Sequence, residues 1–158
     1  RPPLEQCPGE VPLVIPLTTR GRAPAVARTV ADDIRLLEDH AGREILFLGK
    51  VAVYSAGATF MAAFPVDRRF LTRHTRLMIH ERTITKTLNL NGPLRMVVAS
   101  IKAALHEVEH SILIEEEGFR DIVMGSRVDF EELREKAPSN WYIEAEEARA
   151  LGLVLDVI

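Results

Sequence analysis

Residues 44–54 read EILFLGKVAVY, and the small residues SAGA follow them at positions 55–58. The first stretch is apolar almost throughout apart from Lys50, and it is rich in side chains that favour strands. A strand covered on both faces within a parallel sheet has this composition. The small residues after it allow a sharp turn into a helix. This stretch therefore predicts the central strand–turn–helix unit of an α/β domain.

Helical and strand patterns alternate outward from that unit. Residues 1–10, rich in Pro and Gly, predict an irregular lead-in, and residues 11–158 predict one α/β domain with a mostly parallel sheet. A long helix starts after Gly92-Pro93, and Gly118 is its expected end. The other predicted elements are strands at 11–17, 69–71, 76–80 and 153–158, and helices at 24–37, 59–64, 129–136 and 144–150.

Composition narrows the range of partners. The chain has 158 residues, 47% of them hydrophobic, and a net charge of −3, which suits one globular domain with a core. It has no large basic cluster, so we expect no nucleic-acid partner. No apolar run approaches about 18 residues, so we expect no membrane association. Cys7 is the single cysteine, which excludes an internal disulfide and favours a cytoplasmic location.

Two side chains suggest acyl-transfer chemistry. Thr59 lies at the predicted start of a helix, where free N–H groups stabilise negative charge. His80 ends an apolar strand twenty-one residues later. A hydroxyl at a helix start and a histidine at a strand end form the skeleton of a nucleophile and its base. A capping threonine and a structural histidine are the commoner roles. Ser55, whose commoner role is that of a turn residue, is a second candidate nucleophile.

Three motifs resemble the proteolytic subunit of the Clp protease. Residues 56–61 (AGATFM) are similar to the turn that carries its nucleophile, and residues 76–80 (RLMIH) are similar to the strand that carries its base. Residues 144–158 (EAEEARALGLVLDVI) are similar to its C-terminal sequence. The resemblance covers residues 11–158. It implies a Clp/crotonase-like ββα spiral with a protruding long helix, and a peptidase.

The resemblance also implies which residues hydrolyse the peptide bond. Thr59 falls on the nucleophile, His80 on the base, and Asn140 on the acidic third member. Asn140 can orient an imidazole but carries no charge, and the same change in a serine-protease triad costs about 10⁴ in turnover. No metal or organic cofactor is implied. The implied donors to the oxyanion are the backbone N–H groups of Gly21, Arg22 and Phe60.

The implied partners are a peptide or unfolded protein as substrate and further copies of the chain. The helix at residues 94–117 falls on the handle that pairs subunit rings in the family. The family's first strand and helix and its axial N-terminal segment have no counterpart, so docking to an ATP-driven unfoldase is not expected. The degenerate triad leaves an alternative, an inactive Clp-like subunit that serves assembly or binding. Acyl-CoA chemistry on this fold would need an adenine-binding loop and a catalytic carboxylate, and neither is found.

A competing motif lies in the long helix. Residues 106–110 (HEVEH) match the zinc-binding pattern H-E-x-x-H, in which two histidines one turn apart hold the metal. At 100° per residue, His106 and His110 point away from the apolar stripe, towards solvent. No clear third ligand follows. A solvated helix face is favoured, and a zinc metallopeptidase is the weaker alternative.

Overall fold

Helices and strands alternate in the computed structural model, which describes residues 12–21, 24–42 and 44–158. The predicted lead-in at residues 1–10 lies outside the described residues. The strands are β1 (Leu13–Thr19), β2 (Ile45–Tyr54), β3 (Arg69–Leu71), β4 (Arg76–Ile79), β5 (Trp141–Glu144) and β6 (Asp156–Val157). The helices are α1 (Pro24–Ala41), α2 (Ala56–Met61), α3 (Leu94–Val123), α4 (Phe130–Lys136) and α5 (Ala145–Ala150), with 3₁₀ turns at Val66–Arg68 and Ala137–Ser139.

The strands form one curled sheet with β2 at its centre. The sheet order is β5-β4-β2-β3-β6, and β1 also pairs with β2. The pairs are parallel except β4 with β5. This mixed α/β architecture with a mostly parallel sheet confirms the predicted class. Among the described residues, no helix combines the length and the apolar composition needed to cross a membrane.

A distortion halfway along β2 lets this strand change partners. Residues 47–49 pair with β3, whereas residues 52–54 pair with β4. Between them, Val51 has a positive φ of 63°, which is uncommon for a β-branched residue. The register with β1 shifts at the same level, where the Thr18 hydroxyl donates to the Lys50 carbonyl at 2.6 Å. Because of this bulge, the second half of β2 runs beside β4 and ends next to it.

A buried guanidinium joins distant parts of the core. Arg69 is 2% exposed and donates to backbone carbonyls rather than to a carboxylate. Burial lowers its pKa to about 10, with the charge of Asp121 acting in the opposite direction. Its acceptors are the carbonyls of Phe64 at 2.7 Å, Ile122 and Leu153 at 3.2 Å each, and Ala62 at 3.4 Å. One side chain therefore ties the end of α2, helix α3 and the C-terminal segment together.

Several predicted boundaries are wrong. Helix α2 begins at Ala56 rather than at Thr59. Helix α3 continues through Gly118 to Val123, because Phe119 and Ile122 extend its apolar stripe into the core. The closing strand shrinks to Asp156–Val157, because Leu153 and Val154 pack into the core ahead of it. Strand β5 was not predicted at all.

The contacts of Arg69 predict that its replacement is costly. We expect Arg69→Met to lower the free energy of unfolding by about 3 kcal/mol or more, because it leaves buried carbonyls without donors. The matched control is Arg68→Met, which removes a more exposed guanidinium that pairs with Glu38 and should cost about 1 kcal/mol or less. Urea denaturation measures both. Equal costs would show that the carbonyl contacts do not hold the core.

Candidate active site

Ser55 lies at the junction of β2 and α2 in a strained backbone conformation. It is the N-cap of α2, with φ 55° and ψ −113°. Its N–H donates to the Met78 carbonyl at 2.7 Å, and its own carbonyl accepts from the N–H groups of Ala58 and Thr59. A serine at positive φ in a sharp strand-to-helix turn presents its hydroxyl outward, as the nucleophiles of many hydrolases do. Strain of this kind is concentrated at functional sites.

Gly21 packs directly on that turn. Its φ is 67°, and a Cβ at this position would lie 2.7 Å from the Ser55 Cβ and 2.8 Å from the Ala56 nitrogen. The Tyr54 carbonyl oxygen would be closer still. The Gly21 N–H donates to the Thr19 hydroxyl at 3.1 Å. Only glycine fits here, so the turn after β1 and the turn after β2 can touch.

The His80 imidazole faces the Ser55 hydroxyl. The Nε2–Oγ distance is 2.7 Å. The two residues meet because Tyr54 pairs with Met78 in parallel strands, so β2 and β4 end at the same edge of the sheet. When Nε2 accepts, the hydroxyl donates its proton towards a base, which is the arrangement that activates a serine. His80 is half-buried and lines a cleft at the surface.

Thr59 does not occupy the position that the sequence suggested. Because α2 starts at Ala56, Thr59 lies in the helix interior, and its N–H donates to the Ser55 carbonyl at 3.3 Å. Its half-buried side chain lines a small cavity of about 40 Å³ together with Ser55 and His80. The hydroxyl that the imidazole contacts is that of Ser55. The signal for it was present in the sequence, as a serine immediately after the strand and before three small residues.

The backbone N–H groups expected to bind the oxyanion do not converge beside Ser55 in the described residues. Gly21 lies against the Ser55–Ala56 peptide, and Arg22 is outside the described residues. Phe60 is the fifth residue of α2, and its buried side chain packs on Phe64. The N–H groups without a helical carbonyl partner are those of the first residues of a helix. A donor next to Ser55 is therefore the Ala56 N–H rather than that of Phe60.

Asn140 lies level with His80 but apart from it. Ile79 pairs with Trp141 in the antiparallel register of β4 and β5, and one step further in this register Asn140 is level with His80. Asn140 has a left-handed backbone with φ 56°, is exposed, and lines a different cleft with Trp141 and Lys136. Within residues 44–158, no hydrogen bond joins it to His80; the imidazole bonds Ser55. Of the three predicted triad positions, Thr59 and His80 line one cavity, and Asn140 lines a different cleft.

Ser55 and His80 open into a cleft of about 460 Å³ between α3 and residues 81–92. These residues have no regular secondary structure, and two of them contact α3. The Arg82 N–H donates to the Glu115 carboxylate, and the Lys86 ammonium to the Glu107 carboxylate. The later residue of the segment contacts the earlier glutamate of the helix, so the segment runs antiparallel to α3. Its two carboxylate contacts fix one wall of the cleft.

The histidines of the HEVEH motif are exposed. The His106 side chain is 88% exposed, and its Nδ1 lies 3.9 Å from the Glu109 carboxylate. The Glu107 carboxylate contacts the Lys86 ammonium. Among the described residues, no group of three or more His, Cys, Asp or Glu side chains is placed to hold a metal ion. The geometry fits a solvated helix face.

No protein-family model matches the chain, and no curated protein matches it. The likeness to the Clp proteolytic subunit therefore depends on the three sequence motifs.

The close approach at Gly21 predicts a site-specific effect. We expect Gly21→Ala to lower the free energy of unfolding by at least about 2 kcal/mol more than Gly42→Ala, because only the former meets backbone atoms. Gly42 is the matched control, since it also has a positive φ, 59°, but nothing lies within 4 Å of its added Cβ. Urea denaturation of both variants compares them. A similar loss in both would mean that the turns at residues 21 and 55 are not coupled.

Proposed function

We propose that this protein is a serine-type hydrolase, a Clp-protease-like peptidase that cleaves peptide bonds by acyl transfer. The observation that carries the proposal is the 2.7 Å contact of the His80 Nε2 with the hydroxyl of a strained Ser55. The resemblance of residues 76–80 and 144–158 to the family supports it, as does a curled parallel sheet with a long helix. The proposed fold is the family's ββα spiral.

In this proposal Ser55 replaces Thr59 as the nucleophile. The Ser55 Oγ forms a bond to the carbonyl carbon of the scissile peptide while its proton passes to the His80 Nε2. The oxyanion accepts from the backbone N–H of Ala56 at the start of α2. The C–N bond then breaks and His80 returns the proton to the leaving amine. Water attacks the acyl carbon while His80 takes its proton; the bond from that carbon to the Ser55 Oγ then breaks, and His80 returns the proton to Oγ as the acid product leaves.

Asn140 gives specific support to a second candidate, an inactive Clp-like subunit that serves assembly or binding. An uncharged third member supports the imidazolium poorly. Asn140 is also exposed, and within the described residues its backbone N–H bonds Ala137 while no bond reaches His80. In the hydrolase, Asn140 would do no more than orient the ring. Whether the Ser55 hydroxyl reacts separates the two candidates.

A fluorophosphonate probe tests the nucleophile. We expect labelling of the full chain at Ser55, located by mass spectrometry, and its loss in Ser55→Ala. Thr59→Ala is the matched control, since it removes a hydroxyl four residues away and should leave labelling unchanged. His80→Ala should slow labelling by about 10² or more. A wild-type chain that is never labelled supports the inactive subunit, and labelling lost in Thr59→Ala alone restores Thr59 as nucleophile.

We also propose self-association through residues 94–117. Large apolar side chains along the first half of α3 are exposed, which is typical of an interaction surface. Leu94 is 84% exposed, and Met96, Val98, Ile101 and Leu105 are exposed as well. The family resemblance makes a second copy of the chain the expected partner. We do not propose an ATP-driven unfoldase as a partner.

Sedimentation velocity tests the self-association. We expect Leu105→Glu to lower the mass of the assembly, because it places a charge inside the apolar stripe. Ala103→Glu introduces the same charge on the opposite side of the helix, about 180° from the stripe, and should not change the mass. A wild-type monomer, or equal effects of the two substitutions, would contradict this interface.

A further inference from the structure

We infer that the cleft beside Ser55 selects substrates with a positively charged side chain next to the scissile bond, and that Glu115 recognises this charge. The inference rests on the proposed function, because it names the substrate class of the same site.

Glu115 faces the reacting pair from the opposite wall. It lines the cleft of about 460 Å³ and also the cavity of about 40 Å³, and Ser55 and His80 line both. The side chain is half-buried. One carboxylate oxygen accepts the Arg82 N–H. The carboxylate is thus held in place by the backbone while its other oxygen remains for a ligand.

The charge of Glu115 has no partner in the described part of the chain. The two glutamates that follow it pair with arginines: Glu116 with Arg120, and Glu117 with Arg28. No ion pair of Glu115 occurs among residues 12–21, 24–42 and 44–158, where the only contact of its carboxylate is with a backbone N–H. Two arginines lie around it: Arg82 lines the cleft but is exposed, where solvent screens its charge, and Arg28 lines the small cavity and pairs with Glu117 at 3.5 Å. The cleft therefore offers a half-buried negative charge.

The rest of the wall suits a long aliphatic chain. Ile84, Val108 and Ile112 line the same cleft as Ser55 and His80 and give it an apolar surface. Lysine and arginine combine an aliphatic stem with a cationic end, so they pack along apolar surface and place their charge at a polar group. A charge-assisted hydrogen bond to a carboxylate is about twice as strong as a neutral one. An apolar wall that leads to one unpaired carboxylate matches both parts of such a side chain.

Glu115 could instead act through His80, since both line the same cavities. The two roles differ in what they change. A residue that binds the substrate charge affects cationic substrates alone, whereas a residue that supports the imidazole affects every substrate and shifts the pH dependence of the reaction.

Diphenyl phosphonate probes that differ only in one side chain distinguish these roles. Each reacts by forming a bond from the Ser55 Oγ to phosphorus while the bond from phosphorus to a phenoxide breaks; His80 takes the serine proton and passes it to the leaving oxygen, which departs as phenol. We expect the full chain to be labelled at least about tenfold faster by a lysine-type probe than by a norleucine-type probe, which lacks the ammonium group, a difference of about 1.4 kcal/mol. A glutamate-type probe should be slowest.

Glu115→Gln should bring the lysine-to-norleucine ratio close to one, chiefly by slowing the reaction with the lysine-type probe. Glutamine retains an oxygen that can accept the Arg82 N–H, so the cleft wall is preserved. Glu115→Lys should reverse the preference towards the glutamate-type probe. The matched control is Glu109→Gln, since Glu109 is exposed on the same helix and does not line the cleft, and it should keep the wild-type ratio.

Three outcomes overturn the inference. Equal labelling by the lysine and norleucine probes in the wild type rejects it while the proposed hydrolase stands. A uniform loss of rate in Glu115→Gln, with a shifted pH profile, shows that Glu115 positions His80. Absence of any labelling at Ser55 in the wild type rejects the hydrolase itself, and the inference with it.

Discussion

The backbone of Ser55 is the constraint on which the site depends. A non-glycine residue in this conformation costs about 1–3 kcal/mol, and it persists only where its surroundings leave no alternative. Three elements supply those surroundings. Gly21 packs against one side of the turn, the Met78 carbonyl accepts from the Ser55 N–H, and N–H groups of α2 donate to the Ser55 carbonyl. The bulge at Val51 is needed for this arrangement, because it brings the end of β2 beside β4.

The location of the site follows from the parallel sheet. Parallel strands present their carboxyl ends at one edge, and in α/β folds ligands bind there. Ser55 follows β2 and His80 follows β4, so their side chains meet without any long loop. Arg69 acts elsewhere: it joins α2, α3 and the C-terminal segment within the core. The contacts that hold the core together and the contacts of the proposed active site therefore involve different residues.

The sequence predicted the α/β class, the central strand and His80 at a strand end, because these depend on long apolar patterns. It missed what depends on a few backbone angles. The helix start at Ala56 was hidden because alanine and glycine give no periodic signal there, and so Thr59 was preferred to Ser55. Strand β5 has only four residues, and tertiary pairing with β4 defines it. Gly118 suggested a helix end, yet burial of the residues after it carries α3 further.

The distribution of negative charge around the imidazole separates this site from a standard triad. Asn140 is uncharged, exposed and lines a different cleft, whereas the half-buried carboxylate of Glu115 lines the cleft that holds Ser55 and His80. A carboxylate behind the ring stabilises the imidazolium of the transition state and raises turnover. A carboxylate on the substrate side binds ground state and transition state alike and improves capture more than turnover. In the proposed hydrolase, this charge distribution would favour selective binding and slow acyl transfer, and the inactive binding subunit is the limiting case of the same arrangement.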